Sequence, residues 1–318
     1  MVEESTALQS PMSILRLDPD FDTLVPPDAT IDKVAGGFSF IEGPIWRPSG
    51  VLWFSDVIGN VTRQWSPDGR VKELLRPGGY DGNGLPEGGY IGPNGATAGE
   101  QGTVVMCQHG NRRVVRITDG LTVTPIVTCF EGKRLNSPND VVYRSDGTMY
   151  FTDPPYGLPK FDADPSKELK FNGVYMYKNG RLDVLITDMT RPNGLAFSPD
   201  EKTFYVANSD DDYRIWRRYN VAPDGSVHDA EIFRDVSAVK ESGLPDGMKI
   251  DSLGNIWATG PAGIWVFTPG GKHLGTITLP EQPANLAWGG DWKTLYITAC
   301  TSLYRLKTSV AGQKLVYS

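Results

Sequence analysis

The stretch NDVVYRSDGTMYFTD (139–153) reads as a polar anchor, a short apolar strand, a tight turn and a second strand rich in β-branched and aromatic residues. The same order recurs along the chain. Earlier copies are EGPIWRPSGVLWFSD from Glu42 and NGATAGEQGTVVMCQ from Asn94. Later ones are NGLAFSPDEKTFYVAN from Asn193, DGMKIDSLGNIWATG from Asp246 and NLAWGGDWKTLYITA from Asn285. In four copies a glycine falls eight residues after the anchor (Gly50, Gly102, Gly147, Gly254), and the other two carry a one-residue-longer Asp-x-Lys turn. Glu42 and Asn285 are five intervals apart, about 49 residues per repeat, the size of a four-stranded propeller blade. A second hairpin signal follows the anchor pattern, for example VTRQWSPDGRV (61–71) and VYMYKNGRLDV (174–184), with the Asp-Gly and Asn-Gly pairs that two-residue turns favour. Two hairpins in each of six repeats predict an all-β, six-bladed β-propeller. Strand-like residues 31–41 are expected to complete the last blade and close the ring, which removes an exposed edge.

Composition agrees with this architecture. The 318 residues include 36 glycines and 24 prolines spread along the whole chain, as many short strands and turns require. We read residues 1–318 as one domain, with 1–30 as an N-terminal extension. The net charge of −7 argues against a phosphate-backbone binder, so no nucleic-acid partner is expected. No apolar run reaches the roughly 20 residues that span a bilayer, so no membrane partner is expected either. Cys107, Cys129 and Cys300 have neither disulfide-framework nor metal-site spacing and read as reduced core residues. The acidic start Met1-Val-Glu-Glu-Ser is not a signal peptide, and the expected location is cytoplasmic, although a mature exported chain would look the same. The expected state is a monomer or a small homo-oligomer.

In a propeller, equivalent residues of the blades lie at similar height around one axis. Glu42, Asn94, Asn139, Asn193, Asp246 and Asn285 would therefore converge at the channel mouth. Each alone is an ordinary turn residue. Repeat-wide structural need, however, predicts one residue type throughout, whereas here two of six are acids. Carboxylates and amide carbonyls are the ligands of a hard divalent cation at the central channel, with Ca²⁺ the first choice and Zn²⁺, Mn²⁺ and Fe²⁺ left open. The eight tryptophans, Trp53 and Trp257 among them, read as blade packing, and His228 and His273 as structural residues of outer hairpins. No Gly-x-Ser-x-Gly elbow occurs, which excludes one common hydrolase design.

The phrases Glu42-Gly-Pro, Ser137-Pro-Asn-Asp140, Phe151-Thr-Asp-Pro154, RPNGLAFSPD (191–200) and PDGMKID (245–251) resemble the gluconolactonase/senescence-marker-protein (regucalcin) family, which includes luciferin-regenerating-enzyme-like proteins. The resemblance spans roughly residues 30–306. Gly92-Pro-Asn-Gly95 and QHGNRR (108–113) look like the bacterial sugar-lactonase branch. The resemblance implies metal ligands at Glu42, Asn139, Asn193 and Asp246, four of the six anchors, and a small-molecule lactone as substrate. It also exposes a departure: the animal sugar lactonases have arginine where this chain has Ser137. Asp246, one of the two ionisable anchors, is the expected catalytic residue that orients or deprotonates water. Asn94 and His109 are expected to bind substrate oxygens, and Tyr156 to cover one side of the pocket. Two rivals stand beside this expectation. One is a phosphotriesterase on the same metal site, as in diisopropylfluorophosphatase propellers, and the other is a non-catalytic calcium-binding propeller.

Overall fold

In the computed structural model, which describes residues 12–82 and 90–318, six antiparallel sheets each run outward from a central channel. The acidic start at Met1–Ser5 lies outside the described residues. The innermost strands are Ile41–Arg47, Pro93–Ala98, Val141–Tyr143, Pro192–Phe197, Met248–Ile250 and Pro283–Gly289, for blades one to six in order. Each blade turns from its first to its second strand at the predicted position. Gly50, Gly102, Gly147 and Gly254 all have φ between +74° and +88°, the region glycine enters without strain. In the two longer turns Glu201 and Trp292 take the positive φ instead, at +54° and +62°.

Ring closure follows the expectation with one change of boundary. Ile31–Gly36 is the outermost strand of blade six and pairs with Ser302–Lys307, Ile31 opposite Leu306 and Gly36 opposite Ser302. The strand stops there, and Ile41 already belongs to the inner strand of blade one. The extension contributes as well: Ser13–Arg16 adds a fifth strand to blade five, Ser13 opposite Thr278.

Aromatic residues fill the wedges between blades, because the sheets diverge toward the rim and large side chains are needed there. Trp257 of blade five meets Trp288 of blade six edge-on at 5.3 Å, and Trp46 of blade one stacks on Tyr296 of blade six at 5.2 Å. Trp53 and Trp257 are both buried packing residues, as read from the sequence. Burying one such side chain stabilises the fold by roughly 1.5–3 kcal/mol. The cysteine reading needs correction. All three are free, but only Cys107 is in the core, while Cys129 is exposed in a two-residue strand outside the six blade sheets and Cys300 is half-buried in a turn. Among the described residues, no helix is long and apolar enough to cross a membrane.

The end of the chain crosses the far end of the channel. Gln313 donates its backbone N–H to the Ile250 carbonyl at 2.9 Å, Gly312 donates to Trp292 at 2.8 Å, and Tyr317 reaches Tyr143 with ring centroids 5.0 Å apart. A cavity of about 90 Å³ lies under this tail, lined by inner-strand residues such as Trp46, Phe197 and Trp288 together with Gln313–Val316.

Candidate active site

The six anchors do meet at the opposite end of the channel, and backbone irregularity aims them. In blades one, two, four and six the pairing of the first two strands shifts register beside the anchor: at Glu42–Ile45, Pro93–Ala96, Pro192–Leu195 and Pro283–Asn285. Such a bulge bends the strand and redirects a side chain. In blades three and five the anchor instead precedes the strand. The glycine after an anchor then has a second explanation besides turn chemistry. A Cβ on Gly43 would lie 2.0 Å from the Asn94 carbonyl oxygen, and one on Gly194 would lie 2.2 Å from that of Asp246. Each glycine lets the next blade's anchor approach. Side-chain hydroxyls lace the same junctions, Ser55 donating to the Asn94 carbonyl at 2.7 Å and Thr152 to that of Asn193 at 2.8 Å.

One side of the ring is neutral. The His109 ring, 1% exposed, has Nδ1 2.8 Å from the Tyr90 carbonyl, so Nδ1 carries the proton and Nε2 presents a lone pair. That lone pair faces the Asn94 amide nitrogen at 3.0 Å and the Asn139 amide nitrogen at 3.5 Å. Burial pulls the His109 pKa down to about 4, which keeps the ring neutral at pH 7. With both amide nitrogens turned to His109, both carbonyl oxygens face away from it. The Asn94 Oδ1 is buried without any hydrogen-bond partner, a costly state unless something outside the chain completes it.

The other side is charged. Glu42 is 3% exposed and accepts from its neighbour Gly43 N–H and, at 2.9 Å, from Asn285 Nδ2. Burial, and then the negative charge of Asp140, push the Glu42 carboxyl up to about 7. Asp246 is half-buried, the more open of the two acidic anchors. Burial and then the charges of Glu42 and Asp140 hold its pKa well above the ordinary value, and the adjacent Asn193 amide pulls it part-way back. Tyr156 donates its hydroxyl to the Ser209 carbonyl at 2.8 Å, and its own carbonyl accepts from Tyr90 N–H at 3.0 Å. Its phenol pKa is raised by burial and by the neighbouring Asp246 charge.

Ser137 has no exposure and is fully used within the chain. Its hydroxyl donates to the Pro154 carbonyl at 2.5 Å and accepts from Gly157 N–H at 2.8 Å, while its N–H donates to Asp153 at 2.7 Å. It shapes the loop that carries Tyr156 and the approach to Asn139.

Sequence reasoning missed two members of this site. Asp140, 2% exposed, accepts from Asn285 Nδ2 at 3.4 Å, and Lys249 Nζ lies 4.0 Å from its carboxylate. Among the described residues, no group of three or more His, Cys, Asp or Glu side chains is arranged as a metal cluster. The donors here are instead two acidic anchors and amide carbonyls. Clustered acids, with the charges of Asp140 and Glu42 raising the pKa of a neighbouring carboxyl, and amide oxygens turned to the channel are a set that a hard divalent cation fits.

The profile of the SMP-30/Gluconolactonase/LRE-like region matches residues 40–301. The chain belongs to that family. Among its members, the gluconolactonase of Zymomonas mobilis is 37% identical over 314 residues, covering 94% of this chain and 87% of that one. The 6-deoxy-6-sulfogluconolactonase of Pseudomonas putida is 30% identical over 265 residues, covering 81% of this chain and 82% of that one. The solved structure of a gluconolactonase from Xanthomonas campestris superposes with a TM-score of 0.81 at 29% identity, covering 94% of this chain and 98% of that one. The matched family region contains all six anchors and also Asp140 and Lys249.

Proposed function

We propose that this protein is a lactone hydrolase that opens a sugar lactone with one divalent cation held by Glu42, Asn139, Asn193 and Asp246. Names of the family relatives support the reaction: two of those above are a gluconolactonase and a sulfogluconolactonase. The observation that carries the site is the crowding of two acidic anchors, buried Glu42 and half-buried Asp246, whose raised pKa values a cation would offset, beside an Asn94 carbonyl left free for a substrate donor. Ca²⁺ is the first choice for an all-oxygen set, ahead of Zn²⁺, Mn²⁺ and Fe²⁺. When bound, such an ion supplies Lewis acidity that polarises a carbonyl and makes water more acidic.

The residues of the chain do the rest. Asp246, more open than Glu42, takes a proton from the attacking water. As the ring C–O bond breaks, it returns that proton to the departing ring oxygen, and the product is the open hydroxy acid. Glu42 stays buried and balances charge. His109 holds the Asn94 and Asn139 amides with their oxygens away from itself, and Asn94 is positioned to meet a substrate hydroxyl. Tyr156 closes one side of the mouth. A pH-indicator assay with gluconolactone, run with and without a chelator, tests this reading. Acid release that chelation abolishes and added metal restores is the expected result. No acid release under any metal would overturn the enzyme assignment.

A further inference from the structure

Asn285 occupies an anchor position but does not present its oxygen to the channel as the other anchor amides can. Its Oδ1 accepts from Leu286 N–H at 2.8 Å and from Lys249 Nζ at 3.1 Å. Its Nδ2 therefore faces the acids, 2.9 Å from Glu42 Oε2 and 3.4 Å from Asp140 Oδ2. The Lys249 ammonium also donates to the Met248 carbonyl at 3.0 Å and lies 4.0 Å from Asp140. It sits where the inner strand of blade five meets the cavity under the C-terminal tail, beneath the acid cluster. The Lys249 side chain is only 17% exposed.

We infer that Lys249 is a positioning residue of the site. From below, its ammonium fixes the Asn285 amide with nitrogen toward Glu42, and it supplies the resident positive charge of the acid cluster. Charge balance supports the assignment. With a divalent ion bound, Glu42, Asp140 and Asp246 would be ionised and carry three negative charges, which the ion and Lys249 together cancel. Two acids would have sufficed for the ion alone, so Asp140 and Lys249 form a built-in pair added to the site. A buried charge that loses its partner is costly, whereas removing both partners is often tolerated. The inference rests on the acid cluster and its contacts, and it stands or falls apart from the lactonase reading.

Lys249→Met, Asp140→Asn and the double variant, compared with the parent protein in excess chelator, provide the test. Lys249→Met should melt about 5 °C or more below the parent, the range expected for an uncompensated buried charge in a chain of this size. Adding Asp140→Asn to it should regain at least half of that loss, which a packing role for the lysine stem would not produce. If Lys249→Met does not fold, the double variant should still fold. Melting of Lys249→Met within about 2 °C of the parent, no regain in the double variant, or failure of both to fold would overturn the inference. The same variants are then melted with excess Ca²⁺. A response in none of them sinks the cation reading and leaves the chelator result on Lys249 standing.

Discussion

The two halves of the channel mouth solve the same problem by opposite means. On the side of blades two and three, a neutral histidine uses two hydrogen bonds to orient two neutral amides. On the side of blades five, six and one, an ammonium orients one amide, and Glu42 and Asp246 crowd with Asp140, which reaches in from blade three. The neutral half buries no charge, and its cost is the one oxygen it leaves unmet. The charged half is strained by like charge, which the proposed cation would relieve. The difference teaches that a similar anchor position, repeated around the ring, can present an acid, a free amide oxygen or an amide nitrogen to the channel, depending on what stands behind it.

The largest expected effect is on the charged half. In metal-loaded protein, Asp246→Asn keeps size and a carbonyl oxygen but removes the base, and turnover should fall by roughly 10²-fold or more. Near-parental turnover would place the base elsewhere and erase the functional contrast between the halves. On the neutral half, His109→Leu leaves the Asn94 and Asn139 amide nitrogens without their acceptor. Loss of such a supporting group should lower activity roughly 10-fold or more. His109→Gln, which can offer an oxygen at the same place, should recover part of it. Equal loss in both variants would show that the ring itself, and not its lone pair, matters.

Substrate preference separates the halves further. Neutral hydrogen-bonding groups suit sugar hydroxyls, and a site built to pair them is left with unmet polar groups by an analogue that lacks them. Gluconolactone should therefore surpass unsubstituted δ-valerolactone in kcat/KM, and Asn94→Ala should shrink that ratio more than it slows δ-valerolactone. A better turnover of δ-valerolactone or of an organophosphate fluoridate would leave the metal-hydrolase reading without its sugar specificity.

Most of this was legible in the chain itself. Six anchors, six turns and the ring closure follow from a period of two within strands and one of about 49 between blades. Asp140 was hidden because Asn-Asp is an ordinary turn pair. The signal that could have found it is an exception: four anchors are followed by glycine, and Asn139 and Asn285 are not. A Cβ on Gly95 would lie 2.4 Å from the Asp140 carboxylate, so that acid sits over the glycine of the preceding blade. Lys249 was hidden because a lysine in a short strand normally faces solvent; only the closed ring turns that strand's inner face to the acids. Which nitrogen of His109 carries its proton depended on the Tyr90 carbonyl, 19 residues away, and no pattern reveals that.

The smallest effect concerns Tyr156, where ring and hydroxyl can be told apart. The hydroxyl is committed to the Ser209 carbonyl at 2.8 Å, which bridges the blade-three loop to blade four. Tyr156→Phe should therefore cost about 1 kcal/mol of stability, the net worth of one buried hydrogen bond, with KM for gluconolactone unchanged. Tyr156→Ala removes the ring as well and opens that side of the mouth beside Asp246, so KM should rise while the metal response of the melting temperature stays. A rise in KM already in Tyr156→Phe would mean that the hydroxyl leaves Ser209 to meet the substrate. Tyr156 would then belong with Asn94 among the groups that read sugar hydroxyls, and blade three would add a substrate contact to the neutral half of the site.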